Sequence, residues 1–171
     1  MPTLRSLFAA LLAALAGPAV AHVTLEPAQA AAGGTHKLSF RVTHGCDGSA
    51  TTAVVLRLPP GLQGAKPMPK PGWSLQTTRR PLAQAQERHG RRITDELAEV
   101  RWSGGPLPDA HVDEFSIVAT LPAGGPAPLA FPLTQECEQG RLDWQDAPGS
   151  RAPAPVLRLQ APAGPAPHHP H

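Results

Sequence analysis

Short runs of alternating or β-branched residues, each closed by proline or glycine, recur along the chain and predict strands. Lys37–Val42 alternates with Leu38, Phe40 and Val42 on one face, and Thr51–Leu58 is β-branched up to Pro59-Pro60-Gly61. Similar signals cover His22–Glu26, stopped by Pro27, and Glu99–Ser103, stopped by Gly104-Gly105-Pro106. Trp73–Thr78, Glu114–Thr120, Leu129–Thr134 and Gly140–Trp144 complete the set. Only Pro81–Gly90 admits a short helix, and it is polar enough to be a hairpin loop. Val156–Gln160 reads either as a short strand or as a break in a linker. Seven or eight strands without a long helix predict an all-β fold, an antiparallel β-sandwich of immunoglobulin-like or cupredoxin-like type.

The hydrophobic pattern differs at both ends. Arg5, the apolar run Ser6–Gly17, the helix-breaking Pro18 and Ala19-Val20-Ala21 have the form of a secretory signal with an A-x-A cleavage site. The run is too short for a bilayer span, which takes roughly 20 apolar residues. No second such run follows, so no membrane span is expected after processing. Cleavage after Ala21 leaves 150 residues that begin with His22 and a free α-amino group. The expected organisation is a signal peptide over 1–21, a sandwich over 22–146 and a Pro/Ala-rich segment over 147–171. From Ala161 the Pro/Ala/Gly composition buries too little apolar surface to offset ordering entropy, which predicts a disordered tail ending in His168, His169 and His171.

Composition narrows the class. There are 22 prolines and 16 glycines and no tyrosine, which suits strands joined by tight turns. The formal net charge is only +2, with no basic block, so nucleic acid and anionic lipid are poor partners on sequence grounds. The two cysteines, Cys46 and Cys137, read first as a disulfide in an exported chain. Two free thiols or thiolate ligands are the alternative. Closing so long a loop stabilises by ~4–5 kcal/mol on chain entropy alone, often less in practice. A buried tryptophan beside the disulfide is expected, with Trp73, Trp102 and Trp144 as candidates.

Candidate chemistry centres on His22. A terminal amine and the Nδ1 of its own imidazole close a six-membered chelate, and the α-amino pKa of about 7.7 lets a metal displace the proton near neutrality. Two nitrogens at right angles suit tetragonal Cu(II), which heads the divalent affinity order. A second ligand must come from the fold. His44 lies in Thr43-His44-Gly45-Cys46-Asp47-Gly48, a loop pinned if Cys46 is bridged; its plainer role is to hydrogen-bond the turn. Asp47 offers a carboxylate, with turn capping as the favoured alternative. Glu26 shares a strand face with His22 but sits about 13 Å away, too far to chelate the same ion. His36, His89 and His111 read as solvent-facing or turn residues, and Met68 as packing. The tail histidines would collect metal only loosely. No G-x-S-x-G elbow accompanies Ser49 or Thr51, no phosphate-binding loop is present, and Asp95, Glu96 and Glu99 read as a solvated face. The chain is not expected to be an enzyme.

These motifs occur in a recognisable order: His22-Val-Thr-Leu-Glu-Pro27, Phe40-Arg-Val-Thr-His-Gly-Cys-Asp-Gly-Ser49, Lys66-Pro-Met-Pro-Lys-Pro-Gly-Trp73, Val100-Arg-Trp-Ser-Gly-Gly-Pro-Leu-Pro-Asp109, Gln135-Glu-Cys137 and Gly140-Arg-Leu-Asp-Trp144. Over His22–Trp144 the chain resembles the YcnI-type family of exported copper-binding domains. The resemblance implies a cupredoxin-like sandwich that binds Cu(II) outside the cytoplasm in copper acquisition, trafficking or homeostasis. It implies that His22 gives its amine and imidazole to copper in a histidine brace. The family's partner ligand is a glutamate after the second strand; this loop has none. His44 falls closest to that position, with Asp47 in reserve, and Trp144 maps onto a tryptophan that walls the site. The implied setting is periplasmic or extracellular, with other exported or membrane copper-handling proteins as partners. A metal-free structural or adhesive sandwich is the main alternative. A copper-dependent oxidative enzyme is a weaker one, because the chain has few aromatics for sugar stacking.

Overall fold

The computed structural model describes residues 22–88, 90–124 and 128–161. The leader, His89 and the tail histidines lie outside the described residues.

Among the described residues, twelve strands form three sheets. β1 (Thr24–Glu26), β3 (Thr35–Val42), β8 (Asp113–Thr120) and β5 (Gln63–Pro67) form a four-stranded sheet in the order β1-β3-β8-β5. β11 (Arg141–Trp144), β10 (Leu133–Cys137), β4 (Thr51–Arg57), β7 (Arg91–Leu107) and β6 (Trp73–Arg88) form a five-stranded sheet in that order. β2 (Gln29–Ala31), β12 (Val156–Gln160) and β9 (Leu129–Ala130) make a small third sheet, in which β12 runs parallel to β2 and antiparallel to β9. Every pairing in the two larger sheets is antiparallel.

The predicted alternation explains the core. Leu38, Phe40 and Val42 project from one face of β3 and are fully buried. They share the interior with Val54 and Leu56 of β4, Val100 and Trp102 of β7, and Phe115 and Ile117 of β8. The Phe40 and Phe131 rings lie 5.4 Å apart, and Trp73 meets Phe115 edge-on at 5.0 Å. Trp102 is wholly buried, and its Nε1 donates to the Met68 carbonyl at 3.0 Å, which satisfies its polar tip. The all-β fold with one disulfide, expected from the pattern, is the fold found.

Several stretches differ from expectation: Leu129–Thr134 divides at Phe131-Pro132 into β9 and β10, which join different sheets, and the strand begun at Glu99–Ser103 is not stopped by Gly104-Gly105-Pro106 but continues in β7 to Leu107. Trp73–Thr78 and Pro81–Gly90 are not a strand followed by a helix or loop; β6 continues to Arg88 and pairs with β7 from Arg91 onward. This arm has little apolar alternation because most of it overhangs solvent. It is held instead by backbone pairing and by cross-strand ion pairs, Arg79–Asp95 and Arg80–Glu96. At the other end, of the two readings left open for Val156–Gln160, the strand is observed. Leu157 and Leu159 of β12 are buried in the common core.

Candidate metal centre

β1 is an edge strand of the four-stranded sheet and β11 of the five-stranded one, and the His22–Trp144 contact brings these two edges together. The candidate residues meet at the seam between them. Thr24 is in register with Arg41, so the chain running back from β1 carries His22 toward the loop that leaves β3. That loop holds His44. The ring of His22 lies 6.1 Å, and that of His44 5.9 Å, from the indole of Trp144 on β11. Trp144 is only 3% exposed, whereas both histidines are partly exposed. His22 also lines a shallow cleft with Ser150, Arg151 and Pro153.

The His44 loop is fixed at several points. Cys46 is bonded to Cys137 of β10, with an S–S distance of 2.06 Å. Cys46 and Ser49 exchange backbone hydrogen bonds at 3.0 and 2.9 Å. Asp47 and Gly48 between them have φ of 49° and 85°, the Asp-Gly pattern of a type I′ turn. Gly45 has no room for a side chain, because a Cβ there would come 1.9 Å from the Ser49 carbonyl oxygen. Its N–H donates to Asp109 Oδ1 at 2.8 Å.

Gln135 joins the loop to the tryptophan. It is fully buried on β10. Its Nε2 donates to the His44 carbonyl at 2.6 Å and to Thr51 Oγ1 at 2.7 Å. Its Oε1 accepts from Trp144 Nε1 at 3.2 Å. One side chain therefore sets the position of the His44 backbone and the rotation of the indole. Sequence reasoning assigned Gln135 and Asp109 no role. A signal was present for Gln135: it lies two residues from Cys137, so both side chains leave β10 on one face.

The His44 ring is held at one nitrogen. Its Nδ1 lies 2.6 Å from the Gly45 carbonyl oxygen, which can only accept, so Nδ1 donates there. A carbonyl holding one imidazole nitrogen is the usual orienting device behind a ligating histidine. The surrounding charges are self-paired. Arg101 grips Glu136 bidentately at 2.6 and 2.7 Å and holds its carboxyl below the ordinary value. Arg141, and then Thr134, do the same for Asp143. These pairs brace β10 and β11, the strands that carry Gln135 and Trp144.

The remaining candidates are placed elsewhere. Asp47 is exposed at the turn tip. Glu26 pairs with Arg41 at 3.0 Å. His36 is hydrogen-bonded to the Ala31 carbonyl at 3.2 Å, and the backbone N–H of His111 closes a turn on Pro108. Met68 is 41% exposed. Among the described residues, no group of three or more His, Cys, Asp and Glu is close enough to hold a metal. Two imidazoles, those of His22 and His44, lie against the Trp144 indole here.

Fold and site together define a disulfide-bonded immunoglobulin-like sandwich with a histidine-flanked tryptophan at one seam. The chain belongs to the DUF1775 family, described as a domain of unknown function, whose model matches residues 22–167. This is the family to which the YcnI-type proteins belong. Among solved structures it is similar to an uncharacterised protein from Nocardia farcinica with an immunoglobulin-like fold. The two share 25% identity over 81% of this chain and 97% of that one, with a TM-score of 0.60. A fainter likeness links it to the seventh ScaB type I cohesin of Pseudobacteroides cellulosolvens, with 10% identity, 86% and 97% coverage and a TM-score of 0.45. No curated protein matches the chain.

Proposed function

We propose that this is an exported, periplasmic Cu(II)-binding protein of copper acquisition, trafficking or homeostasis, and that it binds copper as cargo without acting as an enzyme. The observation that carries the reading is the convergence of His22 and His44, 22 positions apart in sequence, on the single buried indole of Trp144. Cleavage before His22 would add its α-amine to the two imidazoles. Nitrogen donors of this kind suit Cu(II). Asp47, exposed at the turn tip, is the reserve oxygen donor. Trp144 bounds the site on its buried side and limits water there. An exported setting also fits the disulfide, which persists in oxidising compartments.

The test is electron paramagnetic resonance of the processed protein with one equivalent of Cu(II). A single tetragonal nitrogen-coordinated species is expected, altered by His22→Ala, by His44→Ala and by acetylation of the terminus. A spectrum indifferent to all three changes would remove the site.

A further inference from the structure

The opposite seam of the sandwich lies between β5, the far edge of the four-stranded sheet, and the arm made by β6 and β7. It is not closed. β7 pairs with β4 only as far as Glu99, opposite Arg57, and the part from Arg91 to Leu97 pairs with β6 alone. The overhang leaves a cavity of about 540 Å³ along β5. This is within the roughly 300–1,000 Å³ range of small-ligand sites. Leu62, Ala65, Ile93 and Leu97 give it an apolar lining.

The rest of the lining is cationic and only partly neutralised. Of its two carboxylates, Asp95 is paired with Arg79, and Glu96 is paired with Arg80 and accepts from the Gly61 N–H. Lys66, Arg88 and Arg91 also line the cavity, and none of them is in an ion pair. Arg88 and Arg91 are direct cross-strand partners. Like charges in that position are destabilising, so the arm carries a local conflict that an anion between the two guanidiniums would relieve. Arg88 also donates from Nε and Nη2 to Gln86 Oε1, a neutral acceptor that leaves its charge uncompensated, and an arginine fork matches the planar, bidentate geometry of a carboxylate.

We propose that this groove binds a single-chain amphiphilic carboxylate of the fatty-acid class. Its aliphatic chain lies on Leu62, Ala65, Ile93 and Leu97, and its carboxylate lies between Arg88 and Arg91. One cavity of this volume with an apolar lining and uncompensated cations accommodates one chain and one head group. The site is independent of the proposed copper centre, which occupies the other seam.

Calorimetric titration of the processed chain with dodecanoate, below its micelle concentration and at pH 8, tests this. A saturable one-to-one site is expected. Dodecanol, which has the same chain without charge, should bind at least tenfold more weakly, and acetate should show no saturation. The double variant Arg88→Gln/Arg91→Gln removes the like-charge contact, so it should fold normally by circular dichroism and lose at least tenfold in dodecanoate affinity. Ile93→Asp should lose as much by charging the apolar lining. Absence of saturation, unchanged affinity in the double variant, or binding to phosphatidylglycerol vesicles without a dodecanoate site would each overturn the proposal. The copper resonance should be unchanged by dodecanoate, so the two readings fail separately.

Discussion

The two seams of the sandwich are finished in opposite ways. At the β1/β11 seam a disulfide, an Asp-Gly turn, an Asp109 contact and the buried Gln135 hold His44 against Trp144. At the β5/β6 seam a hairpin overhangs its sheet, most of its side chains face solvent, and a like-charged arginine pair sits at its end. The first region is fixed by buried polar groups whose partners are specified one by one. The second depends on backbone pairing and exposed charges, each of small net energy. Substitution should therefore be costly at one seam and cheap at the other, and the following experiments are ordered by that expectation.

Removing the disulfide should have the largest effect. Cys46→Ser/Cys137→Ser opens a loop of 91 positions and should cost roughly 2–5 kcal/mol of stability. Denaturant unfolding checks this, and Cu(II) affinity should fall with it because His44 adjoins the freed loop. Next is Gln135→Leu, which leaves the Trp144 N–H, the Thr51 hydroxyl and the His44 carbonyl without their partner. A buried unsatisfied group costs about 1–3 kcal/mol, so a loss of about 2–4 kcal/mol is expected in urea melts. Trp144 fluorescence should shift as the ring is released. An unshifted spectrum would detach Gln135 from the site.

Acid should act at the first seam by a smaller amount. Glu136 and Asp143 have carboxyls held below their ordinary values by Arg101 and Arg141. Groups lowered in the folded state contribute above the unfolded pKa and lose that contribution as pH falls through the folded one. Stability should thus be level above about pH 5 and decline below about pH 4. Glu136→Gln should flatten that decline when melting temperature is followed against pH. The smallest effect belongs to the arm. Arg91→Glu replaces a like-charge pair with an opposite one and should stabilise by about 0.2–1 kcal/mol. It should leave the copper resonance unaltered. A destabilisation of several kcal/mol would mean that the arm is as tightly specified as the other seam.

Much of the scaffold was legible because half-buried strands print a period of two on the sequence. Lys37–Val42, Thr51–Leu58 and Glu114–Thr120 match β3, β4 and β8 to within a few residues. The arm was not legible, since a strand pair overhanging solvent has no apolar face to print. β2 and β5 were missed because they are short, and β5 is largely exposed. His22, His44 and Trp144 were each visible as residues, and the Cys46–Cys137 pairing followed from there being two cysteines.

By itself, then, the sequence determined the strand-forming pattern, the buried faces and the residue types available for chemistry, because these depend on local alternation and turn residues. Only the tertiary structure decided which of them meet. His22 and His44 share one indole because β1 and β11 are edge strands of two different sheets that meet at one seam. Gln135 spans that meeting point because β10 lies between β11 and β4. Arg88 faces Arg91 because the hairpin register places them opposite each other. Contacts between residues far apart in sequence follow from sheet order and register, which no local pattern encodes.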